Sequence, residues 1–383
     1  MTSLPLSAYV HLPWCVRKCP YCDFNSHVVD GTLPESAYLE ALRRDLAAQA
    51  AVVPRRELRS VFFGGGTPSL VSAQTIGAIL DALEATFGFE SGIEITLEAN
   101  PGASDAERFA GYRAAGVNRL SIGAQSFDDE HLAALGRIHA ARDIDAAFAA
   151  ARSARFENVN VDLMHGLPGQ TVHEAERDLK RALALGPTHL SWYQLTVEPN
   201  TTFHKFPPSL PEDDVLADIE DAGFDLLAKN GYERYEVSAF ALAGRASRHN
   251  LNYWRFGDYL GLGAGAHGKH TRPDRSLYRT ANTRVPRDYM TSDSPTRPSD
   301  VAEDFFEFML NTLRLTGGFS RALFRTRTRL DEVLLDRFAA DAIDRGLLER
   351  IEMEDSEAGY RPTDLGLRFL NDLQLLAAEY DPA

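Results

Sequence analysis

The feature that most limits the fold of this chain is the order in which its apolar runs change period. Runs that read as strands alternate with stretches of helical spacing six times over about 190 residues. Strands are expected at 8–12, 60–63, 94–99, 119–123, 158–164 and 189–195. Helices are expected at 36–51, 72–87, 104–115, 128–154 and 172–185, with Ser104 as a candidate N-cap. Repeated βα units imply parallel strands with helices packed outside. Gly, Pro and polar clusters follow the strands at Gly64–Pro68, Asn100–Gly102, Gly123–Ser126 and Gly166–Gly169. In barrel-like βα folds the loops at the carboxyl ends of the strands build the active site. The expected class is α/β, a partial (β/α)6 barrel of the TIM-like kind.

The period weakens after residue 200, where Pro207, Pro208 and Pro211 mark a break. A helix is expected over 212–229, its first turn carrying Glu212, Asp213 and Asp214 at the positive end of the helix dipole. Three parts follow: a core at 1–240, an irregular connecting segment at 241–299 carrying Pro273, Pro286, Pro295 and Pro298, and a C-terminal helical domain at 300–383. That last part should hold helices at 301–315, 320–324, 331–345 and 363–378, with a two-stranded wing from 347–353 and 359–361. Helices plus a wing suggest DNA binding. Charge argues otherwise: residues 300–383 hold ten Arg, no Lys and eighteen acidic residues, a net charge of −8. The module reads instead as a structural cap or a docking surface for a partner.

The whole chain points the same way, with a net charge of −15 over 383 residues. Phosphate-backbone affinity rests on clustered Lys and Arg, so no nucleic-acid partner is expected. No apolar run approaches the roughly 18–20 residues that span a bilayer, so no membrane anchor is expected. Met1–Tyr9 lacks a signal-peptide core, which makes cytoplasmic residence the expectation.

All three cysteines lie within eight residues, as Cys15-x3-Cys19-x2-Cys22. An odd, clustered set points to metal or redox chemistry, not to a disulfide framework. Three thiolates on one loop can hold three corners of a [4Fe–4S] cubane and leave one iron open to a small chelating molecule. The alternative is structural zinc, with His27 completing a Cys3His set. Arg17 and Lys18 would favour thiolates in either case.

Cys-x3-Cys-x2-Cys after a first strand, followed by Gly64-Gly-Gly-Thr-Pro68, resembles the radical S-adenosylmethionine (SAM) superfamily. Tyr9-Val-His-Leu-Pro-Trp-Cys15, Gln125-Ser-Phe, Val161-Asp-Leu-Met-His-Gly-Leu-Pro-Gly169 and Gly261-Leu-Gly-Ala-Gly-Ala-His267 resemble its oxygen-independent coproporphyrinogen III oxidase branch, in the same order and over nearly the whole chain. The resemblance implies a [4Fe–4S] cluster on Cys15, Cys19 and Cys22, with SAM at the open iron. It implies a SAM pocket that includes Gly65, Gly66 and Thr67, where glycines let backbone approach the ligand. Glu98 and Asp162 would accept from ribose hydroxyls or the SAM amino group. Gln125 and Arg137 would donate to ribose and carboxylate oxygens. Tyr9, Tyr21, Thr196 and His267 match further lining positions, although a histidine is not the usual residue at 267. His11 is offered as a donor behind the cluster and His165 as a residue closing the pocket.

Two departures bear on activity. The oxidases carry a further cysteine two residues after the third, and Phe24 stands there. They also have a longer N-terminal extension. His249-Asn-Leu-Asn-Tyr-Trp254 instead resembles the motif of a haem-chaperone sub-branch. That resemblance implies haem as a ligand, with His249 a candidate axial ligand and Tyr253 and Trp254 as stacking surfaces. Asn250, Asn252 and Arg248 would orient the imidazole or bond a propionate. A haem-acceptor protein is the implied partner, and a homodimer is a further expectation. The competing expectation is radical decarboxylation of coproporphyrinogen III.

Overall fold

The computed structural model describes residues 4–102, 105–293, 296–298, 304–353 and 357–380. Six strands follow one another as expected: β1 (Leu6–Leu12), β2 (Leu58–Gly65), β3 (Phe89–Ala99), β4 (Arg119–Gln125), β5 (Asn158–His165) and β6 (His189–Gln194). Each pairs in parallel with the next. Helices Glu35–Ala50, Ala73–Phe87, Asp105–Ala114, Ala141–Ser153 and Val172–Leu185 return the chain between them. Strand β4 is buried along its whole length, as befits a strand covered on both faces. Helix starts are capped locally. Thr171 and Glu174 form a capping box, and Ser72 accepts from the Thr75 N–H. The proposed cap Ser104 lies outside the described residues, as do Pro295 and Val301. All six strands point their carboxyl ends the same way, so the loops after them meet on one face.

Several expectations need correction. The helix expected over 128–154 is two helices, Asp129–Ala134 and Ala141–Ser153. Gly136 breaks it with φ +69°, and a Cβ there would lie 2.7 Å from Pro20 Cδ. The break places Arg137 in a loop against the cysteine segment.

The segment 241–299 is not irregular. A seventh strand, β7 (Asp258–Leu262), pairs in parallel with the free edge of β1, Leu6 opposite Asp258 and Val10 opposite Leu262. Strands His267–Thr271, Leu277–Asn282 and Thr296–Pro298 then extend the sheet in antiparallel fashion. Glycine hides these strands from a periodicity search. A Cβ on Gly261 would collide with the His267 carbonyl, so the close approach itself demands glycine. At the other edge, Ala239–Ala241 and Glu233–Glu236 add two antiparallel strands beyond β6. The described residues thus form one twelve-stranded open sheet.

Buried charge ties the late segment to the early one. Asp45 accepts from Asn282 Nδ2 (2.7 Å), Tyr289 Oη (2.8 Å) and Thr296 Oγ1 (2.6 Å). Asp258 accepts from Arg56 Nη2 (2.9 Å), Lys269 Nζ (3.2 Å) and Thr271 Oγ1 (2.8 Å). Such buried carboxylates are tolerated only when fully bonded.

The C-terminal helices Asp304–Thr312, Arg321–Arg327, Glu332–Asp344 and Leu370–Ala378 enclose a second apolar core that includes Phe305, Phe308, Phe324, Phe338 and Leu373. Phe256 from the barrel side joins it. The expected wing is present: Leu348–Glu352 pairs with Ala358–Pro362, which also pairs with Phe319–Ser320. The helix expected over 363–378 is interrupted at Phe369. Several of the module's arginines are engaged by its own acids, Arg361 with Glu349 and Arg345 with Asp341 among them. Among the described residues no helix is long and apolar enough to cross a membrane.

Helix Asp213–Lys229 lies on Trp192 of β6 through Gly223, where an added Cβ would overlap the indole ring. Gly223→Ala should therefore lower unfolding stability by about 1–3 kcal/mol. It should do so although alanine favours a helix over glycine by about 1 kcal/mol. Urea denaturation followed by circular dichroism measures this; an unchanged midpoint would refute the packing argument.

Candidate functional site

The cysteine segment leaves β1 and crosses the mouth of the sheet. Two backbone hydrogen bonds clamp its root to the turn after β2: Gly66 N–H to Leu12 O (2.9 Å) and Thr67 N–H to Trp14 O (2.7 Å). A Cβ on Gly66 would lie 2.5 Å from the Trp14 carbonyl oxygen. Gly65, at φ +122°, would bring a Cβ to 2.8 Å from the His11 ring. Packing alone already demands glycine at both positions: Gly65 lies against His11 and Leu12 of β1, and Gly66 against Pro13 and Trp14 at the root of the cysteine segment. His11 joins this anchor, with Nδ1 2.9 Å from Tyr9 Oη and Nε2 2.9 Å from the Asn25 carbonyl.

Each cysteine sulfur has a side-chain hydrogen-bonding partner. Thr67 Oγ1 donates to Cys15 Sγ (3.7 Å), Arg137 Nη1 to Cys19 Sγ (3.8 Å), and Ser26 Oγ lies 3.8 Å from Cys22 Sγ. Burial raises the Cys15 and Cys22 thiols above their ordinary value. His27, offered as a fourth zinc ligand, has Nε2 3.3 Å from Asn25 Oδ1. Among the described residues no group of three or more His, Cys, Asp or Glu is arranged for a single ion.

The cysteines open onto a cavity of about 470 Å³. Cys15, Cys19, Tyr21, Cys22, Gly65, Gly66, Thr67, Glu98, Gln125, Arg137, Asp162 and Thr196 all line it, so twelve of the sequence candidates are brought together. Gln125 ends β4 at φ +69°, beside a register shift in the β4–β5 pairing. For a residue other than glycine this is a costly conformation, and such strain concentrates at functional sites. Its Oε1 accepts from Tyr193 Oη (2.9 Å). Thr196 is exposed and donates to Glu198 Oε1 (2.8 Å). Asp162 is held by Ser121 Oγ (3.0 Å) and Asn160 Nδ2 (2.7 Å), and burial raises its carboxyl. Glu98 accepts only a long bond from the Gly65 N–H (3.3 Å). Burial, then the charge of Asp162, push it up to about 8. Near neutral pH Glu98 is protonated and can donate.

A second cavity of about 570 Å³ adjoins the first, sharing Phe24, Gly65 and Glu98 as wall. Tyr9 and His267 line this one and not the cysteine cavity, which corrects their expected place. Phe62, His249, Tyr253 and Tyr259 complete its aromatic side, Asn250 adds an amide, and Arg284 supplies a cation.

His249 is only 2% exposed. Its ring stacks on Phe62 (4.9 Å) and meets Tyr253 edge-on (4.8 Å). Ser60 Oγ donates its proton to Ser7 Oγ (2.8 Å), so it accepts from His249 Nδ1–H at 3.0 Å. That fixes the tautomer: Nε2 carries the lone pair and has no partner among the described residues. Burial, then Arg119, lower this imidazole to about 3.

Other motif residues do structural work. Asn252 Nδ2 bonds the Asp258 carbonyl (2.9 Å) and Arg248 Nη1 the Gly92 carbonyl (2.8 Å). Trp254 lies outside the aromatic cavity, under the Arg314 guanidinium at 4.4 Å, so its expected stacking role is not met. His165 packs on Trp192 (4.3 Å) and lines neither cavity. Sequence reasoning missed Asn100, Tyr193 and Arg284. Asn100 directly follows the β3 strand end, a position that could have flagged it; Arg284 follows no motif.

The raised Glu98 carboxyl has a consequence for stability. Between pH 4.5 and about 8 the folded protein binds more protons at Glu98 than the unfolded chain. Stability from this group is therefore full below pH 4.5 and is lost as pH rises through about 8. Glu98→Gln should flatten the decline of the melting temperature across that window. A variant whose pH profile parallels the parent would contradict this.

The model of the radical SAM superfamily matches residues 9–182. The haem chaperone HemW of Escherichia coli (strain K12) is 47% identical over 98% of this chain and 99% of its own length. HemW of Bacillus subtilis (strain 168) is 34% identical over 90% of this chain and 93% of its own. Among solved structures, the coproporphyrinogen III oxidase HemN of Escherichia coli superposes with a TM-score of 0.79. It covers 99% of this chain and 90% of that one at 23% identity, a likeness of fold. By sequence and fold together, the chain belongs to the HemW haem-chaperone family of the radical SAM superfamily.

Proposed function

We propose that this protein binds haem in the aromatic cavity and passes it to an acceptor protein, using a [4Fe–4S] cluster on Cys15, Cys19 and Cys22 together with SAM. The observation that carries the reading is the adjacency of two cavities, one rimmed by three cysteines and one walled by aromatic rings with an unpartnered imidazole nitrogen. The residues present suit the cofactors. The three sulfurs share one rim, and Glu98, Gln125, Arg137 and Asp162 offer donors and acceptors to a zwitterionic nucleoside. A cubane with one iron open supplies a coordination position and a one-electron couple.

The chain's own residues do the rest. The second cavity falls within the roughly 300–1,000 Å³ usual for cofactor sites. Tyr9, Phe62, Tyr253 and Tyr259 give it flat apolar surface, and Arg284 faces it as a propionate partner. His249 presents Nε2 in the tautomer that can ligate iron, but the rings of Phe62 and Tyr253 wall it. Nε2 is buried, so ligation requires its surroundings to open. The acidic C-terminal module is the docking surface proposed for the acceptor.

Decarboxylation of coproporphyrinogen III is the disfavoured reading. Phe24, 59% exposed, stands on the wall between the cavities where the oxidases carry a cysteine. Two measurements test the proposal on full-length protein reconstituted without oxygen. Haem titration should saturate, and bound haem should move to an apo-acceptor. His249→Ala should weaken haem binding about tenfold or more, equivalent to about 1.4 kcal/mol, and shift the Soret band. Unchanged affinity and spectrum would remove His249 from the site. Turnover of coproporphyrinogen III with SAM and reductant would overturn the chaperone reading.

A further inference from the structure

Asn100 bridges the hydrogen-bonding partners of two of the three cysteine sulfurs. Its Nδ2 donates to Thr67 Oγ1 (2.9 Å), and its Oδ1 accepts from Arg137 Nη2 (2.5 Å). Thr67 has one proton. With its oxygen already accepting from Asn100, that proton is left for Cys15 Sγ, 3.7 Å away. Arg137 is fixed at one end by Asn100 Oδ1 and the Gly123 carbonyl (3.0 Å), which leaves Nη1 on Cys19 Sγ, 3.8 Å away. The third sulfur, Cys22 Sγ, lies 3.8 Å from Ser26 Oγ, which Asn100 does not touch through Thr67 or Arg137. The loop break at Gly136 and the end of β3 bring these groups together from distant parts of the chain.

We infer that Asn100 is a positioning residue for the iron–sulfur cluster, acting through Thr67 and Arg137 to hold two hydrogen-bond donors on its cysteine sulfurs and so to set its reduction potential. The inference rests on the reading that Cys15, Cys19 and Cys22 carry the cluster. Hydrogen bonds to cluster sulfurs disperse negative charge and favour the reduced form, which gains one electron from an external donor. Losing them lowers the potential.

An EPR-monitored redox titration of the reconstituted full chain reads this directly. Iron and acid-labile sulfide are measured first in every sample. Asn100→Leu and Thr67→Val should each shift the midpoint of the one-electron couple downward. Their double variant should shift it by less than the sum, because both act on the same bond. Ser26→Ala should shift it independently of Asn100→Leu. Asn100→Asp serves as the isosteric variant should leucine impair assembly. Its carboxylate accepts from Thr67, turning the hydroxyl proton away from Cys15, and should lower the midpoint as well. Thr67→Val combined with Asn100→Asp should again give less than the sum. A parental midpoint in the Asn100 variants, or strict additivity with Thr67→Val, would overturn the inference. Parental protein without iron and sulfide would overturn the cluster reading itself, which is a separate failure.

Discussion

Everything in the site depends on the clamp between the cysteine segment and the turn after β2. Two backbone hydrogen bonds, from Gly66 and Thr67 to Leu12 and Trp14, bring the segment across the turn at a distance no side chain permits. The clamp fixes Cys15 at the rim and sets the Thr67 hydroxyl on its sulfur. It also joins the segment to the β1–β2 pair near the middle of the sheet. A rigid scaffold holding a short reactive loop suits a site whose ligands must be placed to within about half an ångström.

The second layer of organisation is the contrast between the two cavities. The first is lined by carboxyl, amide and guanidinium groups, many of them already bonded to one another. The second adds the rings of Tyr9, Phe62, His249, Tyr253 and Tyr259 to polar side chains such as Asn25 and Asn250 and one cation, Arg284. Strands β1 to β3 serve both. Tyr9 and Phe62 face the aromatic cavity, Gly65 and Glu98 stand on the shared wall, and Gly66 belongs to the cysteine cavity. These side chains share one face of the sheet, so the division runs across it: β1 and β2 line the aromatic cavity, while β4, β5 and β6 line the cysteine cavity.

Much of this was legible in the chain. The six strands of the barrel core were readable because short apolar or alternating runs, such as Val61–Phe63 and Ile93–Leu97, recur between stretches of helical spacing. The cysteine spacing and the glycine turn located the site, and the order of the motifs located its family. What was not legible has particular causes. Strand β7 and its neighbours are rich in glycine because two backbones nearly touch at Gly261 and His267, and a pattern search sees side chains. Gly136 looked like a residue inside a helix, and only the proximity of Pro20 shows why the helix must stop there. Asn100 is a short polar residue at a strand end, ordinary in sequence; its meaning comes from Thr67 and Arg137, which fold against it from two other loops. Trp254 matched a motif by type, but the helix carrying it turns that indole toward Arg314 instead.

Glu98 is the one titratable group on the wall common to both cavities. A single buried proton there faces two compartments. Any occupant that takes a hydrogen bond from that proton, or draws it away, alters what the carboxyl offers to the neighbouring compartment. By thermodynamic reciprocity the influence runs equally in both directions: if a molecule in one cavity tightens binding in the other by some factor, the second tightens the first by the same factor.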